Sequence, residues 1–185
     1  MDNGAGSYRR FLDGDESGLV EIIRDYKDGL ILYLNSFVGN IQIAEELTED
    51  TFVKIVTKKP RYSGKSSFKT WLYSIGRNVA MDYLRRNRKS ADIPADALTD
   101  LLRDETSLEQ SYIREERKIT VHKALRALKP EYRQILWLIY FEGFSNKEAA
   151  VVMKKTVHNI ETLVYRARQS LKLELDKEGF VYEEL

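Results

Sequence analysis

From Leu19 the apolar residues fall at Leu19, Ile22, Ile23, Tyr26, Leu30, Leu34 and Phe37, a period that a helix gathers onto one face. Gly39 is a natural stop, because glycine readily takes the left-handed conformation that ends helices. The period returns over about residues 41–58, with Ile43, Leu47, Thr51 and Ile55 on the inner side. Lys59-Pro60 ends it, since the residue before proline is pushed out of the α region. Ser67 then stands where it can cap a further helix, whose inner stripe is Phe68, Leu72, Ile75, Val79 and Tyr83. Residues 1–15 are polar and Gly-rich and are expected to fray.

Between Ala91 and Glu116 eight acids face only Arg103 and Arg114, with Pro94 and weak periodicity. This reads as a linker holding at most one short helix near residues 98–102. A second domain is expected from Tyr112, with a helix to Leu128 closed by Lys129-Pro130. A densely apolar helix over about 131–141 follows, carrying Ile135, Leu136, Leu138, Ile139 and Phe141, and Gly143 stops it. Ser145 and Glu148 are spaced as a capping box with Phe144 as its staple, opening a short helix to about Met153. Thr156 caps a last long helix to about Asp176, whose buried stripe is Val157, Ile160, Val164, Ala167 and Leu171. The expected fold class is all-α: two small helical domains joined by a flexible acidic linker, the C-terminal one a helix-turn-helix. The boundaries fall at 1–90, 91–111 and 112–185.

Composition removes several classes of chemistry. With 185 residues the chain can build real cores, but it has no cysteine, so disulfides and thiolate metal sites are out. His122 and His158 stand alone, which makes a histidine-based metal or catalytic site improbable. The start of the sequence lacks the apolar core of a signal peptide, and no run has the length of a membrane span. A soluble cytoplasmic protein with no membrane contact, no metal, no cofactor and no catalytic residues is expected.

Charge is the informative feature. The chain carries a net charge of only +1, yet between Lys54 and Lys89 eleven basic residues meet one acid, Asp82. Such segregation is the footprint of a polyanion-binding surface. On the helix from Phe68, Trp71 and Asn78 share one flank of the stripe, and Tyr73 and Arg77 the other. The core does not need Trp71 or Tyr73, so either both rings widen it or they stack on unpaired bases beside a cationic track. They point about 160° apart on a regular helix, so they cannot serve one strand face together, and Trp71 with Asn78 is the better pair.

Two more faces ask for partners. Glu45, Glu46, Glu49 and Asp50 cluster on one side of their helix beside Phe52, Val53 and Val56, which look apolar and exposed. That face is a solvated one, a docking face for a basic partner helix, or, with no histidine to support it, a set of catalytic carboxylates. On the last helix His158, Thr162, Arg166 and Gln169 lie on the open side, with Asn159 and Tyr165 at its edges. Recognition helices read bases with their N-terminal residues, which suits His158, Asn159 and Thr162, while Arg166 and Arg168 suit phosphates. A plain helical bundle with a polar face is the competing description of this domain.

The runs IAEELTEDTFVKIV, SSFKTWLYSIGRNVAMDYLRR, ALRALKPEYRQILWLIYFEGFSNKEAAVVM and VYRAR resemble bacterial sigma factors of the extracytoplasmic-function (ECF) group of the sigma-70 family, in this order around an acidic linker. The resemblance implies a promoter-specifying subunit of RNA polymerase. Its first domain would bind the clamp helices of the core enzyme through Glu45, Glu46, Glu49, Asp50 and Phe52. Ser63, Lys65, Ser66, Ser67 and Phe68 would receive a base flipped from the minus-ten element, with Trp71, Tyr73 and Asn78 near the melted strand. Lys69, Arg77, Arg85, Arg86, Arg88 and Lys89 would hold phosphates. The second domain would read the minus-thirty-five element through Thr156, His158, Asn159, Thr162, Arg166 and Arg168 and rest on the polymerase flap. Many such proteins are held by an anti-sigma factor.

The chain departs from the family pattern in places. Leu72 stands where primary sigma factors complete a tryptophan pair, and Lys154 replaces the usual glycine of the helix-turn-helix turn. Glu161 and Leu163 occupy positions that are commonly Lys and Arg, so weaker phosphate contact by the second domain is expected. The competing reading is a helix-turn-helix regulator that acts without polymerase, which would have no use for Trp71 and Asn78. A helical enzyme would explain only the carboxylates, and an adaptor would leave the basic track without a purpose. The linker's acids also oppose the basic track, so contact between the two domains that masks DNA binding is expected of the free chain.

Overall fold

The computed structural model describes residues 3–88 and 120–180, and among them every regular element is helical. The order is α1 (Gly4–Leu12), α2 (Ser17–Val38), α3 (Ile41–Lys58) and α4 (Phe68–Arg88). After the first described residues of the second unit, which form α5 over 120–127, come α6 (Pro130–Leu136), a π-helical turn (Trp137–Phe141), α7 (Asn146–Met153) and α8 (Val157–Lys177). The expected linker, its short helix and the segment 112–119 lie outside the described residues.

The expected stops are where the backbone turns. Gly39 closes α2 at φ 64°, its N–H donating to the Asn35 carbonyl at 2.8 Å. Asn40 caps α3, its side-chain oxygen accepting from the Ile43 N–H at 3.1 Å. Within the first unit α2 packs on α1, α3 and α4, burying Ile22, Leu30, Leu34, Phe37, Leu47, Ile55, Phe68 and Leu72. Thr48 and Thr51 are buried without loss, each hydroxyl donating to the carbonyl one turn back at 2.8 and 2.7 Å.

Residues 3–15 are ordered, which corrects the expectation of fraying for that part of the N-terminal segment. α1 lies across α2, with Tyr8 and Phe11 in the core. The Tyr8 hydroxyl donates to the Pro60 carbonyl at 2.7 Å, and Ser7 Oγ to Glu21 at 2.7 Å. Arg10 pairs with Glu21 as well. The approach is close because Gly18 has no side chain: a Cβ there would stand 2.2 Å from the Ser7 carbonyl oxygen. A nine-residue helix is marginal in water, so these tertiary contacts hold it.

In the second unit α6 opens with Pro130 in its first turn, but the helix expected to run to Phe141 changes pitch at Trp137. The Glu142 N–H bonds to the Trp137 carbonyl at 3.1 Å, five residues back. Trp137 and Phe141 stack with centroids 4.3 Å apart and planes within 8°. Phe141 and Tyr140 are consequently exposed, not core residues, and Glu142 is carried toward the first unit. The two units pack together, α4 against α7 and α2 against α6 and the π turn. This contact is made by folded elements; the linker acids from which contact was expected lie outside the described residues.

Tyr8→Ala should lower stability by about 3 kcal/mol, as large-to-small aromatic substitutions do, whereas Tyr8→Phe should cost about 1 kcal/mol for the lost hydrogen bond. Urea unfolding midpoints of the two variants check this; equal effects would mean that α1 does not pack as described.

Candidate nucleic-acid interface

The loop between α3 and α4 starts with Lys59 in the left-handed region, φ 40°, followed by Pro60. Tyr62 closes the loop on itself, its hydroxyl donating to the Ser66 carbonyl at 2.6 Å. Ser67 caps α4 as expected, accepting from the Thr70 N–H at 3.2 Å. Ser63 and Lys65 are exposed and Ser66 and Ser67 half-buried, so the turn presents its hydroxyls at the rim.

Beneath that turn sits an aromatic cluster. Phe68 is fully buried, and its ring lies 5.6 Å from Tyr8, 5.7 Å from Tyr26 and 5.6 Å from Tyr62. Trp71 is half-buried, 5.1 Å from Tyr8, 5.3 Å from Tyr62 and 5.2 Å from Phe68. The cluster props the indole from one side and leaves part of it open. Tyr8 and Tyr62 belong to this support and were not legible as such. Their signals, the Tyr8–Phe11 spacing and a tyrosine inside a polar turn, are weak on their own.

Three expected contact residues are corrected by burial. Phe68 is 0% exposed, so it anchors the turn and offers no face to a base. Tyr73 is 1% exposed, stacked on Tyr33 at 5.3 Å and packed on Phe144 at 5.2 Å. It packs between α2 and the turn over residues 142–144, as a core residue without strand contact. Burial, with the Glu142 carboxylate beside it, pushes the Tyr73 hydroxyl well above its ordinary pKa. Phe52 is 7% exposed and belongs to the core; Val53 and Val56 are the exposed apolar residues beside Glu45, Glu46, Glu49 and Asp50, all four of which are exposed.

The basic track is graded. Arg85 and Arg86 are exposed, Arg85 paired with Asp82 at 2.9 Å. Asn78 and Arg77 are half-buried, and the Arg77 Nε is buried without a partner. Lys69 is paired with Glu142 at 2.9 Å. The side chain of Arg88, and Lys89 altogether, lie outside what is described.

The second surface is built on the helix-turn-helix of α7 and α8. Ser145 and Glu148 form the capping box: the Glu148 N–H donates to Ser145 Oγ at 3.3 Å and the Ser145 N–H to the Glu148 carboxylate at 2.9 Å. Hydrogen bonds donated to the Glu148 carboxylate, the one from the Ser145 backbone foremost and others from the Ser145, Ser67 and Thr70 hydroxyls, hold it below its ordinary pKa against the opposing effect of burial. Thr156 caps α8, accepting from the Asn159 N–H at 3.2 Å. His158, Asn159, Thr162 and Arg166 line a shallow open hollow with Glu131 and Lys155, which are themselves paired at 2.9 Å. Thr156 and Arg168 are exposed, but Arg168 sits about 160° around the helix from Arg166. Leu163 is buried, so its place in α8 is one of packing, and Val157, expected in the buried stripe, is 37% exposed.

Residues 22–90 match the family pattern Sigma-70 region 2, and residues 118–171 match Sigma-70, region 4. The chain belongs to the sigma-70 family, in its ECF group. It is 29% identical over 166 residues to the RNA polymerase sigma-H factor of Pseudomonas aeruginosa, covering 85% of this chain and 86% of that protein. It is 28% identical over 152 residues to the ECF RNA polymerase sigma factor SigM of Bacillus subtilis, covering 82% and 91%. Its fold is similar to that of the sigma factor RpoE of Bartonella quintana, solved in complex with the anti-sigma factor NepR. The TM-score there is 0.67 at 25% identity, covering 84% of this chain and 95% of that one. CnrH, solved with the cytosolic domain of CnrY, shares the fold at a TM-score of 0.64 and 21% identity, covering 94% and 95%.

Lys154 closes α7 in the left-handed region at φ 53°, which costs a residue with a Cβ about 1 kcal/mol. Lys154→Gly should raise stability by about 0.5–1 kcal/mol, read as a higher thermal midpoint; a lower one would show that the lysine side chain is needed there. For Glu148, whose folded pKa is depressed, the contribution to stability is present above the ordinary glutamate value of about 4.3. It is lost as the pH falls through the lower folded value. The stability difference between wild type and Glu148→Gln should therefore shrink on acidification, and urea melts at stepped pH measure it.

Proposed function

We propose that this chain binds core RNA polymerase and directs promoter-specific initiation, recognising minus-ten and minus-thirty-five elements. The observation that carries the reading is the pairing of a supported, half-open Trp71 with the basic end of α4, on a chain that matches both DNA-binding regions of its family. Residues 1–90 form the unit that binds polymerase and opens DNA, 91–111 the connection, and 112–185 the unit that reads the upstream element.

In the first unit Trp71 and Asn78 meet the unpaired strand, and Ser63, Lys65, Ser66 and Ser67 form the rim that receives a flipped base. Arg77, Arg85, Arg86, Arg88 and Lys89 neutralise phosphates, with Lys69 joining them when it is released from Glu142. Glu45, Glu46, Glu49 and Asp50, with Val53 and Val56, dock on the clamp helices of the core enzyme. In the second unit His158, Asn159 and Thr162 face base edges from the N-terminal half of α8, while Arg166 and Arg168 reach phosphates. This unit also rests on the polymerase flap. The chain has no catalytic site of its own: chemistry belongs to the polymerase. It acts in the cytoplasm, where the polymerase is. The Bartonella RpoE complex, formed with an anti-sigma factor, supports an inhibitory partner of that class for this chain as well.

Run-off transcription with purified core polymerase on a promoter library from the source genome tests the reading. Addition of the protein should create new start sites, and Trp71→Ala should weaken them about tenfold, as loss of one stacked base at roughly 1–3 kcal/mol requires. Circular dichroism confirms that the variant is folded. No polymerase-dependent starts, with duplex binding retained, would make the chain a regulator that works without polymerase.

A further inference from the structure

The cations of the basic track are not equally available. Lys69 is paired with Glu142 and Arg85 with Asp82, both at 2.9 Å, and Arg77 is half-buried. Lys58, Lys59 and Arg61, at the bend that joins α3 to the turn over 63–67, are exposed. Among the described residues none of these three makes an ion pair. The second unit packs on α4 and α2, and the bend stays open to solvent.

The bend is held by packing. Lys59 closes α3 at φ 40°, its N–H donating to the Ile55 carbonyl at 3.1 Å. Its ammonium lies over the Phe11 ring of α1, 5.4 Å from the centre. The next carbonyl, that of Pro60, accepts from the Tyr8 hydroxyl at 2.7 Å. α1 therefore fixes the bend at two points, and both anchors, Tyr8 and Phe11, precede the residues that match Sigma-70 region 2.

Lysine is a strained residue for that bend. Glycine takes the left-handed region freely, as Gly39 and Gly143 do here, whereas a Cβ is crowded there. Among the described residues only two others enter that region, and both are lysines: Lys59, and Lys154 at φ 53°. Each stands a few residues before a segment assigned above to DNA. Strain kept at a defined position points to a function that the unstrained residue would not serve, and what glycine lacks is the cation.

Placement gives that cation a partner. Arg85 and Arg86 stand about 25 Å along α4 from its first residue, so they reach phosphates on one side of Trp71 only. A strand that gives up a base at the turn has to leave on the other side, and the bend lies there. We propose that Lys58, Lys59 and Arg61 form a second phosphate-binding edge, which holds the backbone of the unpaired DNA strand as it leaves the turn over 63–67. The proposal rests on the assignment of that turn and of Trp71 to the unpaired strand.

Binding of a fluorescein-labelled single-stranded DNA of random sequence to the full-length chain, followed by anisotropy from about 50 to about 200 mM salt, tests it. For single strands the logarithm of the binding constant falls with that of the salt concentration by about 0.7 per phosphate contact. Lys58→Gln with Arg61→Gln should therefore flatten the slope by about 1.4, and Lys59→Gly by about 0.7. Arg24→Gln with Lys27→Gln, at exposed positions of α2 with no assigned role, removes as many charges as the first pair and should leave the slope as it is. Lys59→Gly should also raise the thermal midpoint, so its loss of binding is not a loss of folding; a lower midpoint overturns the argument from strain. An unchanged slope in the 58 and 61 pair or in Lys59→Gly, equal flattening in the α2 pair, or no binding by wild type at the low-salt end overturns the edge. Trp71→Ala, which removes no charge, is measured beside them. If it weakens binding while the 58 and 61 pair keeps the wild-type slope, the edge fails and the reading of α4 stands. If Trp71→Ala binds as wild type does, the reading on which the edge rests has failed.

Discussion

Burial of Phe68 is the constraint around which the first unit is arranged. Its ring fills the place where α1, α2, the 59–67 loop and α4 converge, and it is met there by Tyr8, Tyr26, Tyr62 and Trp71. A buried aromatic at the first position of a helix fixes where that helix begins. Ser67 must then be the cap, and the preceding turn must pass over the cluster at one height. The same ring fixes the N-terminal segment from below, since a Cβ on Gly4 would stand 2.3 Å from it. Trp71 inherits its orientation from this packing, so the indole can be both part of the fold and a surface for a ligand.

Electrostatics in this molecule works by occupation and not by net charge. The excess of cations along α3, the loop and α4 suggests a bare positive surface, but Lys69 spends its charge on Glu142 and Arg85 on Asp82. Glu148 serves twice: one carboxylate oxygen completes the capping box of α7 and the other reaches Ser67 and Thr70 across the interface. Folding of the helix-turn-helix and contact between the units are therefore coupled through a single side chain.

Much of this was written in the order of residues, and what was hidden was hidden for definable reasons. The inner stripes of α2, α3 and α4, and the caps at Ser67, Ser145 and Thr156, are local features, and local spacing is enough to find them. α1 escaped because its two anchoring rings, Tyr8 and Phe11, are too few to set a period, and because Gly18, which lets it approach, looks like any loop glycine. Phe52 and Tyr73 failed for another reason. A helical wheel gives the angle of a side chain but not what lies opposite; Tyr73 sits off the stripe because α4 is buried on two sides, once by its own unit and once by the other. Leu163 stands at a position where the family pattern leads one to expect a cation, whereas it fills the core under α8. The π turn was invisible because Trp137 to Phe141 satisfies helical periodicity as well as it satisfies the wider pitch.

That turn has a consequence for how chain length changes are tolerated. A π turn is the trace of one residue more than an α-helix needs, so a deletion inside it leaves a continuous helix and the same hydrophobic inventory. What it would change is phase: each residue beyond it would be rotated by about 100°, and Glu142 would leave the helix in another direction. A chain shortened by one residue at this point would carry Glu142 away from Lys69 and the Tyr73 hydroxyl, the groups it joins across the two units. A single-residue length change, normally dismissed as neutral in a helix end, would here decide which side chain meets the facing unit.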